Sequence, residues 1–154
     1  MDAVDRRLLD ALRTNGRATF AELARIVGLS APAVHERVGK LEAAGVITGY
    51  HAAVAPESLG YSMSALIGLF LSDESDPDAV AAALGEVPEV EDCWFVAGEE
   101  SYVVKVRVAD VGALERMIGT LNSIKGVGHT RTTVVLSTKF EGRVQRAGGE
   151  DPEL

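Results

Sequence analysis

Between Ser30 and Lys40 the chain reads SAPAVHERVGK, and the side chains in it that can meet a base edge or a phosphate fall at helical spacing. Arg37 and Lys40 offer cationic donors and His35 a ring nitrogen. Glu36 is either an acceptor for a base edge or a solvated residue. Ser30, Ala31, Pro32 and Ala33 make an opening turn small enough for close approach. On one exposed helix face, such groups neutralise phosphates and read the donor and acceptor pattern of a major groove.

No competing chemistry is visible. His35, His51 and His129 lie far apart, and Cys93 has no companion at metal-ligand spacing, so no metal site is expected. No glycine-rich phosphate loop or nucleophile elbow appears, and the expectation is no catalytic residue and no cofactor. One cysteine cannot form an internal disulfide, which fits a reducing compartment. No apolar run is long enough to span a bilayer. The start, MDAVDRRLLDALR, has early acids and carries no hydrophobic signal core, so the expected location is the cytoplasm, away from membranes.

The formal net charge of −8 argues against a nucleic-acid partner until it is divided by segment. Residues 1–51 hold seven Lys/Arg against six Asp/Glu, or +1, while residues 52–154 hold eight against seventeen, or −9. The front of the chain is free to approach a polyanion.

Helical signals fill that front segment. Val4, Leu8, Leu9 and Leu12 form the stripe of a first helix ending at Asn15-Gly16. Thr19 and Glu22 have capping-box spacing for a second, carrying Phe20, Leu23, Ala24 and Val27. Gly28-Leu29 makes a short turn, Ser30 caps a third helix, and Val34, Val38 and Leu41 are its buried stripe. That is the helix-turn-helix pattern, and it predicts double-stranded DNA as partner. Pro32, Glu36, Gly39, Lys40 and Ala43 point outward. A short extended segment is expected around Val46 to Tyr50, followed by a Pro56-containing linker.

Beyond Met63 the periods change. Strands are predicted at 63–71, 90–97, 102–108 and 128–138, with helices capped by Asp76 and Asp110 between them. The β-α-β-β-α-β order is the ferredoxin-like unit. The fold class is therefore α+β: a winged-helix-like helix-turn-helix domain at 1–50, a linker at 51–62, the ferredoxin-like domain at 63–140 and a mobile tail at 141–154. The first strand is apolar on both sides, with Met63, Ala65, Ile67, Leu69 and Leu71 on one and Leu66 and Phe70 on the other. Such a patch predicts a second copy laid sheet to sheet, as a two-fold dimer.

Taken together, LSAPAVHERVGKLEAAGVITGY, CWFVAGEESYVVKVRV and GVGHTRTTVVLST make the chain resemble the Lrp/AsnC (leucine-responsive, feast/famine) transcription regulators over roughly residues 2–140. The resemblance implies an N-terminal DNA-binding domain and a C-terminal domain that dimerises and assembles further, into a homo-oligomer such as an octamer. It also implies a small effector, often an amino acid, held between dimers near the hairpin loop and the loop before the last strand. Here those are Gly98, Glu99, Glu100, Ser101 and Tyr102, with Gly126, Gly128, Thr130 and Thr132. Many members carry Gly-x-x-Asp in the hairpin, the acid meeting an ammonium group, and here Ser101 stands at that position. Glu99 or Glu100 could supply the charge, and glycine-rich turns with Thr130 and Thr132 could hold a carboxylate. Two alternatives stay open. Sirohaem decarboxylases share the domain order, with His129 and Arg131 cast in tetrapyrrole chemistry, and the chain could also be a ligand-binding module without DNA function.

Overall fold

The computed structural model describes residues 1–145, which form two units: Met1–Ala53 with residues 140–145, and Val54–Lys139. Each folds around its own core. Most of the expected mobile tail lies outside the described residues.

In the first unit, α1 (Ala3–Thr14), α2 (Phe20–Val27) and α3 (Ala31–Ala43) start where side chains satisfy the free N–H groups of a helix end. Asp2 and Asp5 form a reciprocal capping box at α1, each backbone N–H donating to the other's carboxylate at 2.9 Å. At α2 the Thr19 N–H donates to the Glu22 carboxylate at 2.7 Å and the Glu22 N–H to the Thr19 hydroxyl oxygen at 3.2 Å. The Ala33 N–H donates to Ser30 Oγ at 3.3 Å. Between α2 and α3 the backbone turns at Gly28, whose φ of 74° is the left-handed conformation glycine adopts without a Cβ penalty. Leu8, Leu23 and Val34 are almost wholly buried, with Ala24, Val27 and Val38 around them, and Leu41 is buried as well. Each buried leucine contributes roughly 2–3 kcal/mol. The extended segment after α3 forms no strand: the N–H groups of Val46 and Ile47 turn back to the Leu41 carbonyl, at 2.9 and 3.2 Å. Those donors satisfy the end of a helix and are not offered to a sheet.

The second unit opens with a short 3-10 turn at Pro56–Leu59, inside the expected linker. Then come β1 (Met63–Leu71), α4 (Pro77–Gly85), β2 (Val90–Phe95), β3 (Tyr102–Val108), α5 (Val111–Asn122) and β4 (Val127–Val135). The sheet order is β2-β3-β1-β4 with antiparallel neighbours, the ferredoxin-like arrangement. One sheet face packs on the helices. It carries Ala65, Ile67 and Leu69, with Tyr102, Val104, Val106 and Val108, against Val80, Leu84, Leu114, Met117 and Leu121.

The other face is open and less apolar than the β1 pattern suggests. Leu66, Phe70, Val103 and Trp94 share it with Lys105, Arg107 and Arg131, because cross-strand partners lie on the same side. Arg107 pairs with Glu91, and Lys105 lies 3.3 Å from Glu91 and 4.0 Å from Asp92.

Candidate nucleic-acid interface and effector site

The structure brings every sequence-predicted DNA residue onto the stretch of α3 from Ala31 to Lys40 or its cap, Ser30, and separates them by exposure. Pro32, His35, Glu36, Gly39 and Lys40 face solvent, whereas Val34, Val38 and Leu41 are buried. His35 is held edge-on against the Phe20 ring, 4.8 Å between centroids, so α2 aims its imidazole. Lys40 Nζ donates to Glu36 Oε1 at 2.6 Å, one turn away on the same face. That bond is the main reason the Glu36 carboxyl lies below the usual carboxylate range.

Arg37 is placed differently. It is half-buried on the flank toward α1, where Nη1 donates to Asp2 Oδ2 at 2.7 Å and to Asp5 Oδ1 at 2.9 Å. The Asp2 carboxyl is lowered chiefly by the Asp5 backbone N–H and next by Arg37. A cleft of about 510 Å³ beside α3 is lined by Asp5, Glu36, Arg37 and Lys40 among others.

The expected effector residues divide. Gly98, Glu99, Glu100 and Ser101 form the β2–β3 turn, where the Ser101 N–H donates to the Leu69 carbonyl at 2.9 Å. Glu100 folds back over Gly68, where an added Cβ would lie 2.5 Å from its Cγ, and pairs with Arg131. Glu99 Oε2 lies 3.5 Å from Arg131 Nη1. An incoming ammonium group would thus find both acids already facing a guanidinium.

Three of the expected residues stand elsewhere. Tyr102 is a core residue, its hydroxyl donating to the Pro77 carbonyl at 2.9 Å, and not a ring displayed beside a loop. Thr130 and Thr132 pair with Leu69 and Ile67, on the helix-covered side, away from Glu100 and Arg131. Alternation along a strand decides this: residues two apart share a face, and Arg131 takes the opposite one. Gly126, at φ +98°, packs where a Cβ would meet Ser75 and Val80 at 3.0 Å, and its carbonyl accepts the Ser72 N–H at 2.9 Å. Its position serves close packing. Arg131, His129 and Phe70 stand on the open face beside the turn, and the two-residue alternation of β4 puts His129 and Arg131 on one side.

A family model for the AsnC-type helix-turn-helix domain matches residues 1–42, and one for the Lrp/AsnC ligand binding domain matches residues 64–145. The chain belongs to the Lrp/AsnC family. The HTH-type transcriptional regulator LrpA of Mycobacterium tuberculosis is 44% identical over 143 residues, 93% of this chain and 95% of that one. Regulatory protein AsnC of Escherichia coli K12 is 35% identical over 137 residues, 88% of this chain and 90% of its own. Among solved Lrp/AsnC structures, the feast or famine regulatory protein from M. tuberculosis complexed with L-methionine superposes with a TM-score of 0.89 at 43% identity, covering 95% and 99% of the two chains. E. coli AsnC does so at 0.87 and 33%, covering 96% and 99%. These relatives are named as regulators, and with them the protein is a transcription regulator of the Lrp/AsnC type and not an enzyme. Among the described residues no helix is long and apolar enough to cross a membrane.

Proposed function

We propose that this regulator lays α3 in the major groove of double-stranded DNA and answers to a small effector, an amino acid or related metabolite, bound at its second unit. The observation that carries the reading is the division of α3, with Pro32, His35, Glu36, Gly39 and Lys40 exposed and Val34, Val38 and Leu41 buried beneath them. Ser30, Ala31 and Ala33 complete the approach surface, where the helix N-terminus and Lys40 meet phosphates and His35 meets a base edge. Residues 1–50 act as the DNA-binding domain, 51–62 as linker and 63–140 as the effector-binding and assembly domain, in the cytoplasm.

Two copies pair through the open sheet face, where Leu66 and Trp94 keep 39% and 46% of their surface in water. Pairing sets two α3 helices on one palindromic site, and higher assembly such as an octamer follows the family pattern. The effector surface joins the Gly98–Ser101 turn to Gly128 and Arg131. The methionine complex of the M. tuberculosis relative supports an amino acid as ligand. Footprinting on the protein's own upstream DNA, with and without a panel of amino acids, tests the reading. Protection of a symmetric site that shifts with one amino acid is expected. No protection at any protein concentration, with folded protein, overturns it.

A further inference from the structure

Of the two cations on α3, only Lys40 stands in water: its side chain is 73% exposed, against 35% for Arg37. Arg37 spends both N–H bonds of Nη1 on carboxylates that are themselves fixed. Asp2 and Asp5 cap α1 reciprocally, and the Asp5 side chain is only 14% exposed. The three groups form one closed network between the first turn of α1 and the middle of α3. A phosphate arriving there would compete with two carboxylates and would place a third anion against them, an arrangement Coulomb repulsion opposes.

We propose that Arg37 is a positioning residue of DNA recognition, latching α3 to the start of α1 through Asp2 and Asp5, and is not itself a phosphate contact. This rests on the reading that α3 docks on DNA. A guanidinium suits the role: Nη1 of its planar group points two N–H bonds in fixed directions, one to each acid, where an ammonium would act as a point charge. By fixing the rotation of α3, the latch holds His35, Glu36 and Lys40 in register with the groove. Small misorientations of a reading helix cost specificity, while affinity for any duplex, which is mostly phosphate contact, changes less.

The test is fluorescence anisotropy of the full chain on a duplex from its own upstream region and on a scrambled duplex of equal length, across a salt series. Wild type is compared with Lys40→Ala, Arg37→Ala, Asp2→Asn and the pair Asp2→Asn/Asp5→Asn. Asparagine caps a helix about as well as aspartate, so Asp2→Asn removes charge and keeps the helix start. The latch predicts that Arg37→Ala and the Asn pair both weaken binding to the upstream duplex, by about three- to tenfold, with the wild-type salt slope. Combining them should be no worse than either alone, and discrimination between duplexes should narrow. Lys40→Ala should instead lower the slope by about one.

The sign for the acids decides the matter. Removing two negative charges must tighten binding if only the overall field counts, and loosen it if the latch counts. Tighter binding by the Asn pair, or a slope lowered by about one in Arg37→Ala, overturns the proposal. If circular dichroism shows the pair unfolded, Asp2→Asn alone carries the same test of sign. Wild type that binds neither duplex defeats the DNA reading itself, and the latch with it. Wild type that binds while the Asn variants bind more tightly defeats the latch alone.

Discussion

The rings of Phe70 and His129 lie stacked on the open sheet face, 4.1 Å between centroids and 9° from parallel. The Arg131 guanidinium sits 5.6 Å from the Phe70 centroid and also holds Glu100, which lies across Gly68. One arginine thus joins β1, β4 and the β2–β3 turn. Arg131→Ala should lower stability by about 0.5–1 kcal/mol, since partly exposed ion pairs and cation–π contacts are each worth little. Denaturant melts measure it. A change beyond about 2 kcal/mol would mean the network is coupled to the core.

The two sides of β1 make opposite predictions. Ile67→Asp places a charge among fully buried neighbours and should prevent folding of the second unit. Leu66→Asp touches only the open face. It should leave the fold intact and shift sedimentation of the full chain toward the monomer at micromolar concentration. An unchanged oligomer would move the dimer contact away from this face.

Ser101 stands beside acids already committed to Arg131. Ser101→Asp adds a carboxylate without that partner, and should tighten binding of an amino acid by on the order of 1 kcal/mol. Calorimetry against a panel of amino acids reads the change. Loss of binding in the variant would instead indicate a ligand with less positive charge, and no binding by either protein would remove the turn from the effector surface.

Acid should loosen the first unit through its caps. The Asp2 carboxyl is lowered by the Asp5 N–H and then by Arg37, and Glu22 by the Thr19 N–H and then the Thr19 hydroxyl. A carboxyl lowered by folding contributes stability that is complete above its unfolded value, about 4, and is lost as pH falls through the folded value. Helical signal should therefore melt at lower temperature as pH drops below about 4. The variant Asp2→Asn/Glu22→Gln should show a shallower decline over the same range, and an identical decline would place the acid sensitivity elsewhere.

Much of this architecture is local in origin and so legible in the amino-acid order. Thr19 with Glu22, Ser30, Asp76 and Asp110 cap the helices they were expected to cap. Tyr102 to Val108 alternate buried and half-buried, as a strand with one covered face must. These signals act within a turn or a pleat, where neighbours along the chain are neighbours in space. The acidic partners of Arg37 lie 32 and 35 residues away, and Glu100 lies 31 residues from Arg131. An ion pair at such separation leaves no periodic trace, because its formation depends on how helices and strands pack. Register has the same character: pairing of β4 with β1 turned Thr130 and Thr132 toward the helices and Arg131 toward the open face. A slip of one residue would have reversed them, and only the packed sheet selects between the two.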